Sequence, residues 1–371
     1  MRQRALPFPA RLDRYVARLF ALSYGAAFFL VVGLFVIIDM ATNLDDYLAS
    51  DKSGYSPLTI EVGRYYLLQL PFLYLQMSPY VTLIAGMFTA TKLARSNEIV
   101  AALNAGISVR RLLFPVYLGA GLLALGMFVL REEATSAVGR ERDLLQDHLK
   151  ERRDKPRPEN LVVWDRRQRQ VTLREYVVAA DPMASEAIEL STRWRERDSD
   201  EFVAIDARSA KPLSGGRWAL EGGERLEDNG KRRQTLPLPI LDDPRFTPEE
   251  AELAWKAREH PMDLSHGELT DLLAREPTNL QYQTLIQYNL TFPLAGLVLL
   301  LVGLPFVVGD ERGKAGERIA RGLLLCVAYF GVDIVARTLG LQGTVGPVFS
   351  GWLPLVVFGS LGVVLTASMR S

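Results

Sequence analysis

Residues 93–108 read LARSNEIVAALNAGIS, a small-residue, helix-forming run with a single carboxylate, set between two long apolar stretches. At about 100° per residue, Ala94, Glu98, Ala101, Ala102 and Ala105 fall on one helix face, and Leu93, Val100, Leu103 and Ile107 on the other. Gly106 supplies a helix end, since a left-handed residue there lets the last carbonyls be satisfied. One reading is a connector on the membrane boundary with Glu98 merely solvated. The other is a docking helix, in which alanines permit close approach and the carboxylate offers a charge-assisted bond to an arginine of a partner.

The flanking stretches show where this helix sits. Of the 371 residues, 49% are apolar, and they are gathered in blocks. A run of about 20 apolar residues crosses a bilayer as a helix because its backbone groups bond internally. Six segments have that character: residues 19–38, 65–91, 112–130, 285–309, 322–339 and 348–368. The first is no cleaved signal peptide, since Asp39 and a polar segment follow it where a small-residue cleavage site would stand.

Lysine and arginine near the span ends set orientation. Arg2, Arg4, Arg11, Arg14 and Arg18 precede the first span, while Lys92, Arg95, Arg110 and Arg111 join the second to the third. Arg312, Lys314, Arg318 and Arg321 join the fourth to the fifth. The opposite side carries Asp39, Asp45, Asp46, Asp51 and Glu61 against Lys52 and Arg64, and the loop 340–347 is uncharged. Both termini and the helix 93–107 are therefore expected in the cytoplasm, and residues 132–279 in the periplasm. Lys+Arg and Asp+Glu each number 43, so no global basic field argues for nucleic acid. Cys326 is the only cysteine, which excludes an intrachain disulfide or thiolate metal cluster.

The middle of the chain reads as an all-β, jelly-roll-like domain on helical stalks. Segments 160–165, 169–180, 186–197, 201–210 and 216–226 are β-branched and aromatic-rich, separated by turn pairs such as Asp181-Pro182, Gly222-Gly223 and Asn229-Gly230. Residues 132–153 read as a charged helix continuing the third span, and 260–277 as a helix returning to the membrane. Ser265 and Glu268 stand at capping-box spacing in the latter. Arg166, Arg167 and Arg169 read as a solvated hairpin or an acidic-ligand patch. The division expected is 1–131 with spans one to three, 132–279 as the inserted domain, and 280–371 with spans four to six.

The pattern R-x-x-E-I-x-A-x-x-A-G-I-S after a second span resembles the coupling helix of the LptF/LptG permease family of the lipopolysaccharide-export ABC transporter. Six spans, the β insertion after the third, GLPFVVG (303–309) ending the fourth and GWLP (351–354) opening the sixth extend that resemblance over nearly the whole chain. GLPFVVG inclines it to the LptG-like member. The resemblance implies an inner-membrane permease that pairs with a second LptF/LptG-type subunit and takes up lipopolysaccharide. It also implies periplasmic bridge proteins that receive the lipid and a cytoplasmic ABC ATPase dimer that uses ATP and Mg. The chain itself is expected to bind no cofactor and to catalyse nothing; it has no G-x-x-x-x-G-K-[ST] loop.

By that resemblance Glu98, Ala102, Ala105, Gly106 and Arg95 form the ATPase-coupling surface. Candidates for the lipid cavity are Leu34 and Phe35 in a first span rich in small residues, with Asp39, Arg64 and Arg131 at span ends. Family members carry basic residues at the outer end of span one, where this chain has Asp39, Asp45 and Asp46; Arg64, Arg131, the partner subunit or a bridging divalent cation are the alternatives. Gln287 and Asn289 stand where a basic residue is usual. Asp333 and Arg337, spaced i to i+4 inside span five, can pair with each other or face a wet cavity. An ion-coupled secondary transporter and a membrane-anchored periplasmic scaffold are competing functions. Against the first, spans one to three lack buried acids; against the second, an anchor needs one span.

Overall fold

The computed structural model describes residues 11–45, 47, 58–149, 160–164, 169–179, 182–195, 202–228, 233–242, 246–309 and 315–369. Arg166, Arg167, Asp181 and the Asn229-Gly230 turn lie outside the described residues, as do Arg2, Arg4, Asp46, Asp51, Lys52, Arg312 and Lys314. Two compact units form. One comprises residues 1–44, 69–134 and 280–371, the other 45–68 and 135–279. The inserted unit thus takes in 45–68, which the sequence division groups with spans one to three, mostly as the polar segment between the first two.

The first unit is helical: α1 (Arg11–Thr42), α2 (Leu58–Arg95), α3 (Glu98–Asn104), α4 (Val109–Ala137) and, after the insertion, α8 (Leu280–Thr291), α9 (Ala295–Gly309), α10 (Ala315–Leu341) and α11 (Pro347–Ala367). Among the described residues six stretches are long and apolar enough to cross a membrane, running Arg11–Thr42, Ile60–Arg95, Val109–Glu133, Leu280–Val308, Ala320–Leu341 and Pro347–Ala367. The fourth is not one helix. A 3-10 turn at Phe292–Leu294 separates α8 from α9, because Pro293 has no N–H to give and its ring crowds the preceding turn. Span packing relies on small residues, as expected where lipid removes the hydrophobic drive between helices. A Cβ on Gly86 would stand 2.2 Å from a Leu300 methyl, and one on Gly303 would stand 2.6 Å from Leu83.

The inserted unit holds α5 (Gly139–Leu149), strands β1 (Leu161–Trp164), β2 (Gln170–Val177), β3 (Glu186–Arg195), β4 (Phe202–Leu213), β5 (Arg217–Glu221), β6 (Glu224–Asp228), β7 (Arg233–Pro237) and β8 (Ile240–Leu241), then α6 (Pro248–Glu259) and α7 (His266–Arg275). All strands belong to one antiparallel sheet, in which β1, β2, β3 and β4 are successive neighbours. The first half of β4 pairs with β6 and the second half with β5, which in turn meets β8. The charged helix expected over 132–153 is interrupted at Val138, where α4 ends before α5 begins.

Alternation slips once along the middle strands. Val171 and Leu173 are buried but so is Tyr176; Leu190 and Thr192 are buried but so is Ala187; Ala207 is buried and so is Ala210. The slip falls at the level of Glu189, whose φ of 49° is left-handed and whose carboxylate meets Arg174 at 2.5 Å. A left-handed residue inside a strand redirects the side chains beyond it. The sheet thus bends and keeps one core. That core includes Trp218, whose ring stacks on Phe246 at 5.1 Å and whose indole N–H donates to the Phe246 carbonyl at 3.0 Å. Helix α6 adds Ala251 and Trp255. Helix α7 starts as its spacing predicts: the Glu268 N–H donates to Ser265 Oγ at 3.1 Å and the Ser265 N–H to Glu268 Oε2 at 2.8 Å.

Buried charge in this unit is shared. Arg142 donates to both Asp143 and Asp263, and His260 Nε2 lies 3.8 Å from Asp143. Burial pushes the Asp143 carboxyl above the usual carboxylate range, with Arg142 and then His260 acting against it. Glu252, paired with Arg140 at 2.7 Å, is raised for the same first reason.

Candidate functional site

Two polar clusters stand out in the helical unit. The first surrounds the quoted stretch, which is not the continuous helix 93–107 expected. Leu93–Arg95 end α2, Ser96 and Asn97 turn, and α3 covers Glu98–Asn104. Local chemistry drives the break. Asn97 adopts φ 57°, Ser96 Oγ stands 2.9 Å from the Lys92 carbonyl and 2.8 Å from Glu98 Oε1, so that its one proton serves either acceptor, and asparagine tolerates that left-handed state better than most residues. Gly106, at φ 78°, ends the segment as its position predicts.

The break rotates the faces. Ile99 and Ala102 are the buried residues of α3, with Leu103 and Ile107 packed against the same core. Val100, Ala101, Asn104 and Ala105 are exposed. Ala102 therefore belongs to the chain's own packing, which corrects its place on the docking face, and Val100 changes sides in the opposite sense. Glu98 is half-buried and also accepts from the Tyr15 hydroxyl at 2.9 Å. Nearby, Arg111 grips Asp13 with both terminal nitrogens, Nη2 to Oδ2 at 2.8 Å, and Arg110 donates to the Ala367 carbonyl. Asp13 is 4% exposed. The buried acid stands in the first turn of α1, ahead of the apolar span 19–38, and is neutralised by an arginine.

The second cluster gathers at the opposite end of the unit. Arg131, buried at the end of span three, donates to Asn289 Oδ1, and Gln287 Oε1 accepts from Trp352 Nε1 at 3.0 Å. Asn289 and Gln287 therefore hold neighbouring spans. Asp333 is buried, but Asp333 and Arg337 form no salt bridge: the Arg337 guanidinium lies over the Tyr288 ring, 4.5 Å from its centre. Cation–π attraction and a nearby carboxylate replace the expected direct pair.

Leu34 is exposed and Phe35 half-buried on α1. Asp39 Oδ1 accepts from Asn43 Nδ2 at 3.0 Å. Arg64 belongs to the inserted unit, where it pairs with Glu141 at 2.6 Å. Tyr15, Asp13 and Tyr288 were missed from the sequence as site residues, since each gains meaning through a partner distant in the chain, which spacing does not signal.

A family model described as "Lipopolysaccharide export system permease LptF/LptG" matches residues 14–368. It covers both members and does not separate them. No curated protein matches the chain.

Proposed function

The chain belongs to the LptF/LptG family of lipopolysaccharide export system permeases, and from that premise we propose that it is the membrane subunit through which a separate ATPase dimer drives lipopolysaccharide out of the inner membrane. The match over residues 14–368, nearly the whole chain, carries the reading. A second permease of the same family completes the lipid cavity, and periplasmic bridge proteins receive the lipid. ATP and Mg are consumed on the ATPase. Both termini lie in the cytoplasm and the inserted β unit in the periplasm, on the strength of the arginine-rich loops at one side of the spans.

In this reading α3 docks the ATPase through its exposed face, Val100, Ala101, Asn104 and Ala105, with Glu98 at its start and the exposed Arg95 and Arg110 on either side. Gly106 ends the docking segment. The lipid passes along the exposed outer half of α1, near Leu34, Phe35 and Asp39, with Arg131, Asp333 and Arg337 at the mouth.

Co-purification tests it. Glu98→Lys places like charges together if an arginine of the ATPase meets this site, and is expected to abolish recovery of the ATPase with the permeases. Glu98→Gln is expected to weaken export while the membrane subunits still assemble, because truncating a paired interfacial charge costs about 2–5 kcal/mol. Unchanged ATPase recovery and lipid export in Glu98→Lys would leave α3 a mere connector. A photo-crosslinker at Leu34 should capture lipopolysaccharide in cells, and protein-only crosslinks would move the lipid route elsewhere. Orientation is read by Thr235→Cys on the exposed strand β7 in a chain lacking Cys326: an impermeant thiol reagent should label it in intact spheroplasts.

A further inference from the structure

We infer that α1 is a lever that carries movement of α3 to the far end of span one, with Tyr15 and Asp13 as its positioning residues. This rests on the docking role proposed for α3. Asp13 and Tyr15 lie within one turn of α1, and each holds a different end of the segment 95–111. Tyr15 donates to Glu98, the first residue of α3. Asp13 takes the bidentate grip of Arg111, in the first turn of α4 after α3 has ended. The segment 98–111, which contains α3, is thus tied to α1 through Glu98 at its start and through Arg111 at its end, so a force on α3 has two routes into span one.

Apolar packing reinforces the same end. Val16, Leu19 and Phe20 share a core with Ile99, Ala102, Leu112 and Val116. A Cβ on Gly119 would stand 2.8 Å from the Phe20 ring, so α1 and α4 approach closely there. The far end differs. Val32 is the last buried residue of α1, and beyond it Leu34, Ile37 and Ile38 are exposed within the chain. A helix held to α3 and α4 at one end transmits rotation along its hydrogen-bonded length, since interiors repack in discrete steps and do not deform smoothly. The polar ties suit this task because a buried carboxylate keeps its partner: losing the arginine leaves an uncompensated charge.

The test is lipid moved per ATP hydrolysed, measured in proteoliposomes containing lipopolysaccharide and the whole assembly of this chain, a second permease and the ATPase. Tyr15 is 43% exposed, so Tyr15→Phe removes one hydroxyl without disturbing the core. The ATPase should co-purify and hydrolyse ATP as before, while lipid moved per ATP falls about twofold to tenfold, the range of one hydrogen bond. Asp13→Arg and Arg111→Asp should each lower the ratio further, and the two together should recover part of it, an outcome that simple misfolding would not give. A ratio unchanged in Tyr15→Phe, with Glu98→Lys still losing the ATPase, overturns the lever and leaves docking intact. If Glu98→Lys binds the ATPase and exports lipid normally, it is the docking reading that fails.

Discussion

The helical unit and the inserted β unit close their interiors by opposite means. In the first, glycine lets helices approach closely, as at Gly296 against the Pro79 backbone, and buried charge is held by an individual partner, as Asp13 is by Arg111. In the second, large side chains such as Trp218, Tyr176 and Leu173 fill the space, and buried charges are pooled among Arg142, Asp143, Asp263 and His260. The difference is one of solvent. Water drives apolar area together and re-solvates whatever polar group reaches it, whereas lipid offers no such drive, so close backbone approach and individually satisfied polar groups decide the packing.

The largest test of this contrast is Trp218→Ala. Losing a fully buried indole and its bond to Phe246 should cost the inserted unit about 3–5 kcal/mol, seen as early loss of hydrogen-exchange protection across β5 and β8. In the helical unit the matching lesion is an addition. Gly86→Ala should destabilise by about 1–3 kcal/mol through overpacking against Leu300, read as a lower thermal midpoint in detergent. A higher midpoint, the gain expected from helix propensity alone, would break the comparison.

Ser265→Ala should remove about 1 kcal/mol by uncapping α7, measured as increased proteolysis at residues 264–268. The smallest effect is a slope with pH. Burial raises the Asp143 carboxyl above its ordinary value of 3.8, so its stabilising contribution is complete below the unfolded pKa and is lost as pH rises through the folded one. Protection of α5 should therefore decline as pH rises above the ordinary carboxylate range. Asp143→Asn should flatten that decline, and an unaltered slope would assign it to Glu252, which is shifted the same way.

Six spans, their order, the β insertion between the third and fourth, the Ser265 cap and the Gly106 helix end follow from sequence alone, because hydropathy over about 20 residues, strand alternation and capping are local properties. Strands β7 and β8 and helix α6 escaped: β7 is exposed throughout, β8 has two residues, and the amphipathic signal of α6 is weak because it buries small residues beside one tryptophan. The site was less legible than the fold. Tertiary structure alone decided that Ala102 is buried against the helical core. It likewise decided that Arg337 lies on Tyr288 and not on Asp333, and that Glu98 answers to Tyr15, eighty-three residues away. Each of these outcomes is a choice among partners that sequence spacing leaves equivalent, settled by which groups the packed helices bring within bonding distance.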